Sequence, residues 1–234
     1  MQVVILAGGL ATRLRPVTAE LPKSMVEVLG KPFLEYQIEL LRRNDVSDIV
    51  LCVGHLARVI QEHFGDGSRL GIRIRYSDEG QRHLGTGGAL KWAERLLADT
   101  FFVLFGDSYL MLDYRSIMRH FLSRDRLGLM VVYRNDGRHD RSDLIVEDGV
   151  VAVYDKNHPS PARVYINEGL SVLRREALAG APRGQPLSLQ ELYRPLIAAK
   201  QLLALETQQR FYEIGSLHGL AEFERLAARR GLPA

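Results

Sequence analysis

The chain has 234 residues, 46% of them hydrophobic, enough for one sizeable α/β core. Its 31 Lys and Arg against 28 Asp and Glu leave a formal charge of +3, too small an excess to argue for a nucleic-acid or membrane partner. One cysteine, Cys52 in the apolar run 49–53, excludes an intrachain disulfide, and with neither a basic apolar leader nor a long apolar segment the expected compartment is the cytoplasm.

Residues 3–6 read as a buried strand that runs into Leu6-Ala7-Gly8-Gly9-Leu10-Ala11-Thr12-Arg13-Leu14-Arg15-Pro16, followed by Pro22-Lys23-Ser24-Met25. Small residues at 7–9 let backbone N–H groups approach a ligand closely. Arg13 supplies a planar fork for phosphoryl oxygens and Lys23 a compact point charge, a pairing that suits a polyphosphate with a second phosphate nearby. The spacing supplies neither Gly-x-x-x-x-Gly-Lys-Ser/Thr nor Gly-x-Gly-x-x-Gly, so it is neither a P-loop nor a dinucleotide fingerprint. The bland alternative is a strand-to-loop turn with solvated cations.

Helix then alternates with strand: helix 33–43, strand 49–53, helix 57–64, strand 72–76, helix 89–97, strand 101–105, helix 114–122. Repeated units of this kind imply a mainly parallel, twisted sheet with helices on both faces, whose ligands bind beyond the carboxyl ends of the strands. The glycine turn after Leu6 and the Gly106-Asp107 pair after Phe105 both fall there. Asp136, Arg138, His139, Asp140, Arg141 and Asp143 form a charged loop whose spacing fits no zinc site and which reads as solvated or as a lid.

After a strand at 129–133, runs at 144–146 and 150–153 flank Asp148-Gly149, a hairpin signal. A strand at 170–173 follows Asn167-Glu168-Gly169, and Ser188 with Glu191 forms a capping box for a helix from Leu189. A last helix, 217–228, carries Leu217, Leu220, Phe223, Leu226 and Ala227 on one core-facing stripe. A single domain over 1–234 is expected, since no repeat or second motif set follows residue 215.

In order, the motif of residues 6–26, Gly30-Lys31-Pro32, Gly85-Thr86-Gly87-Gly88-Ala89, Gly106-Asp107, Asp155-Lys156, Asn167-Glu168-Gly169 and Glu213-Ile214-Gly215 resemble the sugar-1-phosphate nucleotidyltransferases over nearly the whole chain. The resemblance implies the Rossmann-like nucleotide-diphospho-sugar transferase fold, with the hairpin as a lip for the sugar. It also implies joining of a nucleoside triphosphate to a sugar 1-phosphate by attack at the α-phosphorus, with Mg²⁺ as cofactor. The nucleophile is already an anion, so no catalytic base is required.

In the roles so implied, Arg13 binds the β and γ phosphates, Lys23 the attacking or α phosphate, and Asp107 the Mg²⁺. The second metal ligand is Glu213 where the family carries Asp, and its extra methylene moves the oxygens outward. Leu6, Ala7, Gly8, Gly9, Thr12, Gly85 and Thr86 surround the nucleotide, while Lys156, Asn167, Glu168 and Gly169 receive the sugar phosphate. Lys156 stands in Asp155-Lys156-Asn157, a departure from the family's Glu-Lys-Pro, and Ala11 replaces a motif glycine. Glu79 only accepts hydrogen bonds, which suits the N1–H and N2–H₂ donors of guanine and favours GTP.

Within the family the pattern looks most like the guanylyltransferases acting on D-glycero-α-D-manno-heptose 1-phosphate. Mannose-1-phosphate guanylyltransferases and N-acetylmuramate-1-phosphate uridylyltransferases are the near alternatives. A non-catalytic relative that binds nucleotide-sugar as a regulatory subunit is the alternative of another class, opposed by retention of Arg13, Lys23 and Asp107. A dinucleotide-dependent oxidoreductase lacks its fingerprint. The expected partners are small molecules, with room for a homo-oligomer.

Overall fold

The first strand, β1 (Gln2–Leu6), is apolar on both faces, and side chains that alternate along it divide the protein into two layers. Val3 and Ile5 pack with Leu34, Ile38, Phe102 and Tyr114, whereas Val4 packs with Val50, Leu90, Val103 and Tyr193 on the other side. The computed structural model describes residues 1–9, 21–135, 141–158 and 160–232. Thr12 and Arg13 of the phosphate loop, and Asp136, Arg138, His139 and Asp140 of the charged loop, lie outside the described residues.

In chain order, β1 is followed by the short pair β2 (Glu27–Val28) and β3 (Lys31–Pro32), then α1 (Phe33–Arg43), β4 (Asp48–Val53), α2 (Ala57–Phe64) and β5 (Arg73–Asp78). Next come α3 (Gly85–Trp92), β6 (Thr100–Phe105), β7 (Ser108–Tyr109), α4 (Tyr114–Leu122) and β8 (Gly128–Arg134). The second half holds β9 (Leu144–Glu147), β10 (Val150–Tyr154), β11 (Tyr165–Arg174), α5 (Leu189–Ala198), β12 (Leu202–Thr207), β13 (Tyr212–Glu213) and α6 (Leu217–Arg230). Caps fix the later helices: Asp113 accepts from the Ser116 N–H, Ser188 and Glu191 form the expected box, and Ser216 accepts from the Gly219 N–H.

The main sheet runs β5-β4-β1-β6-β11-β8-β12-β10-β9. Its first four strands are parallel and in register, Leu6 standing between Cys52 and Phe105. Beyond them β11 runs antiparallel to both β6 and β8, and β12 returns parallel to β8. The hairpin β9–β10 is therefore the far edge of this sheet, and Leu144 also pairs with Tyr165 of β11. No helix of the described residues is long and apolar enough to cross a membrane.

Four local expectations change. Asn167, Glu168 and Gly169 lie within β11, at a break in its register with β8, because a strand paired on both edges tolerates a bulge where Gly169 takes φ +84°. The helix expected at 89–97 begins at Gly85 and ends at Trp92, with a 3₁₀ turn at Glu94–Leu96. Leu217, at the first position of α6, is 68% exposed, since the buried face of that helix starts at Gly219 and continues through Phe223 and Ala227. Finally, β12 had no counterpart in the sequence reading.

A third cluster anchors the site from below: Phe33, Tyr36 and Tyr109 surround Phe223 at ring separations of 4.8, 5.5 and 4.9 Å. It ties α1 and α6 to β7 and, through Ile214, to the end of β13.

Candidate active site

The carboxyl ends of β1 and β6 lie side by side, and the Gly106 N–H donates to Leu6 O at 3.0 Å. A Cβ on Gly106 would stand 3.1 Å from both Ala7 Cβ and Leu6 O, tighter than side chains ordinarily pack, so glycine suits the close meeting of the two chain ends. Beyond them opens a cleft of about 430 Å³ lined by Leu6, Ala7, Gly8, Gly9, Lys23, Glu79, Gly85, Thr86 and Asp107. A second cavity, about 640 Å³, is lined by Lys156, Asn167, Glu168, Gly169 and Glu213 and shares Phe105, Asp107 and Gly215 with the first. Among the described residues, those expected around a nucleotide and those expected around a sugar phosphate thus sort into two cavities that meet at Asp107.

Lys23 Nζ donates to Asp107 Oδ2 at 2.5 Å, and Ser108 Oγ lies 3.4 Å from Asp107 Oδ1. The two-residue pairing of β7 with β13 sets Glu213 opposite Ser108, while the Ile214 N–H donates to Asp107 O at 3.0 Å. The Glu213 carboxylate accepts from the Gly215 N–H and from Ser216 Oγ at 3.1 Å, so it leans toward the start of α6. A side chain on Gly215 would collide with Glu213 and stand 2.8 Å from Lys23 Nζ.

Two carboxylates, Asp107 and Glu213, line the same cavity, a donor set that Mg²⁺ accepts when water and phosphate oxygens complete its octahedron. Among the described residues no group of three or more His, Cys, Asp or Glu gathers to hold an ion without such help.

Glu79 is 7% exposed, and its Oε2 accepts from the Leu84 N–H at 3.3 Å. Burial raises its pKa from the ordinary carboxylate value. The glycines that follow are largely a packing device. The Gly87 and Gly88 N–H groups donate to Leu187 O at 2.8 and 2.9 Å, and Thr86 Oγ1 accepts from the Leu189 N–H at 2.8 Å. Gly85 and Thr86 line the cleft, but Gly87 and Gly88 serve the contact between α3 and the segment before α5.

In the second cavity the Lys156 ammonium stands 5.8 Å from the Phe105 ring centre and 5.5 Å from that of Tyr154. Desolvation works against its charge, but Tyr154, Asp143 and Asp107 together hold its pKa above the ordinary lysine value. Its neighbour Asp155 faces elsewhere: hydrogen bonds from the Asn157 N–H and from His158 pull its pKa down to about 2. Asn167 braces the bulge, donating to the Tyr154 hydroxyl at 3.2 Å and accepting from the Gly169 N–H at 2.9 Å. Glu168 is 1% exposed, its Oε1 has no hydrogen-bond partner, and burial pushes its pKa up to about 8.

Several wall residues were not anticipated: His83 and Ser24 in the first cavity, Arg210 and His218 in the second. Of these four only Ser24 sits in a motif, and a turn such as the one that holds His83 at φ +50° leaves no periodic signal.

A parallel half-sheet with a glycine turn at one strand end, an Asp at the next, and two cavities joined there define an α/β enzyme that handles a nucleotide. Residues 2–225 match the nucleotidyl transferase family, and the chain belongs to it. It is 32% identical over 203 residues to D-glycero-α-D-manno-heptose 1-phosphate guanylyltransferase of Campylobacter jejuni, covering 85% of this chain and 89% of that protein. It is 32% identical over 210 residues to UTP–glucose-1-phosphate uridylyltransferase of Synechocystis sp., covering 81% of this chain but only 53% of that protein; the chain spans about half the length of this longer relative. The structure of HddC from Yersinia pseudotuberculosis complexed with GMP-PN superposes with a TM-score of 0.79 at 28% identity, over 96% of this chain and 98% of that one.

Proposed function

We propose that this chain joins a nucleoside triphosphate to a sugar 1-phosphate, releasing pyrophosphate. The reading is carried by the meeting of the two cavities at the Lys23–Asp107 pair. An oxygen of the sugar phosphate attacks the α-phosphorus, a new P–O bond forms, and the bond from that phosphorus to the leaving pyrophosphate breaks on the opposite side. Two polyanions must approach each other, so the work of the protein is alignment and charge compensation. Lys23, at the junction, is placed for the reacting phosphate, and Lys156 for the sugar phosphate. Arg13 is assigned to the departing pyrophosphate. Asp107 and Glu213 would hold Mg²⁺, which when bound supplies positive charge to the phosphate oxygens.

For the base we propose guanine, with Glu79 accepting from N1–H and N2–H₂; UTP is the competitor. For the sugar we propose D-glycero-α-D-manno-heptose 1-phosphate ahead of mannose 1-phosphate. Support comes from the Campylobacter relative at nearly full length and from the neighbour solved with GMP-PN. A panel of nucleoside triphosphates against sugar 1-phosphates, scored by pyrophosphate release, tests both choices. A preference for UTP or CTP would overturn the role of Glu79. Asp107→Asn should lower turnover by roughly 100-fold or more, as expected for loss of a transition-state charge partner; full turnover in that variant would overturn the site.

A further inference from the structure

Gln37 lies in the middle of α1 between Tyr36 and Ile38, is 1% exposed, and belongs to none of the sequence motifs. Its side-chain amide donates twice, from Nε2 to Phe105 O at 2.9 Å and to Ser108 O at 2.6 Å. These two carbonyls bracket Gly106-Asp107, since β6 ends at Phe105 and β7 begins at Ser108. Among the described residues, the turn is also anchored by the Gly106 N–H on Leu6 O and the Ile214 N–H on Asp107 O. Gln37 is thus the side chain that spans both ends of the segment.

Both partners are acceptors, which fixes the amide with its NH₂ toward the turn and Oε1 away from it. That Oε1 is buried without a hydrogen-bond partner. A Leu or Met would fill this core position without an orphaned acceptor, so the polar side chain is explained by what its donors hold. We infer that Gln37 is a positioning residue, which fixes the turn so that the Asp107 carboxylate faces the junction of the two cavities. The inference rests on the reading of Asp107 given above.

Gln37→Met keeps the length and removes both donors; Gln37→Glu keeps the shape but sets a carboxylate against two carbonyl oxygens. For either variant kcat is expected to fall about 10- to 100-fold, the scale of a small misplacement of a reacting group, with KM for both substrates within about 3-fold of wild type. On an Asp107→Asn background the Met change should cost no more than about 2-fold further, because the group it positions is already gone. The Glu variant gives the same readout if the Met variant proves too unstable to purify. A Met variant with wild-type kcat, or losses that multiply in the double variant, would overturn the inference, as would a lowered Tm with kcat intact. Full turnover in Asp107→Asn would instead sink the site reading itself, so the two failures are distinguishable.

Discussion

A carboxyl group with one oxygen unpartnered and no counter-charge, as at Glu168, makes stability depend on pH. Its folded pKa of about 8 lies above the ordinary 4.5, so between those values the native state holds a proton that the unfolded chain has released. The contribution is therefore fully present below about pH 4.5 and is lost as pH rises toward 8. Glu168→Gln removes this dependence: its stability advantage over wild type should widen across that window and flatten above it, reaching on the order of a few kcal/mol. Thermal unfolding of both proteins from pH 5 to 9 checks it. Asn167-Glu168-Gly169 was expected from the sequence to receive the sugar phosphate, but the burial of Glu168 was not legible there. It follows from a bulge between strands that only pairing at long range creates.

Among elements, α3 and α6 divide the motifs into those that face a ligand and those that hold the scaffold. Gly87 and Gly88 belong to the same motif as Gly85 and Thr86, yet a Cβ at either would stand 2.6 Å from a backbone oxygen, of Ser188 or Gln185. Their partners are about a hundred residues distant, which no local pattern reveals. Gly87→Ala should accordingly cost about 1–3 kcal/mol by urea unfolding, the scale of overpacking, with little change in nucleotide KM. A large KM effect at unchanged stability would return this glycine to the binding site. On α6, Phe223 is fully buried among three aromatic rings, and Phe223→Ala should cost about 3–5 kcal/mol. Because the same cluster includes Ile214, that variant should also lose turnover at temperatures where it remains folded, measurable as a lowered kcat.

For the whole molecule, the parallel half of the sheet was readable because each strand there is followed by its own helix. The antiparallel insertion of β11 between β6 and β8 was not, since its neighbours are far apart in sequence and its apolar run resembles any buried strand. That insertion brings Glu168 and Gly169 to the strand ends where the glycine turn and Asp107 already stand. A nucleotide-sugar product would occupy both cavities at once and bind more tightly, so at equal ligand concentration it should raise Tm more than the triphosphate or the sugar phosphate alone, by about 2–4 °C per kcal/mol of added stability for a domain of this size. Differential scanning fluorimetry with each ligand tests it; equal shifts would count against a continuous site.

The contact between Lys23 and Asp107 carries a thermodynamic consequence. Lys23 has one ammonium group and lines the first cavity, while its partner Asp107 has one carboxylate and lines both. A phosphate that draws Lys23 toward one cavity alters the charge that Asp107 offers to the other. Occupancy on one side is then linked to affinity on the other, and by reciprocity each ligand must change the binding of its partner by the same factor.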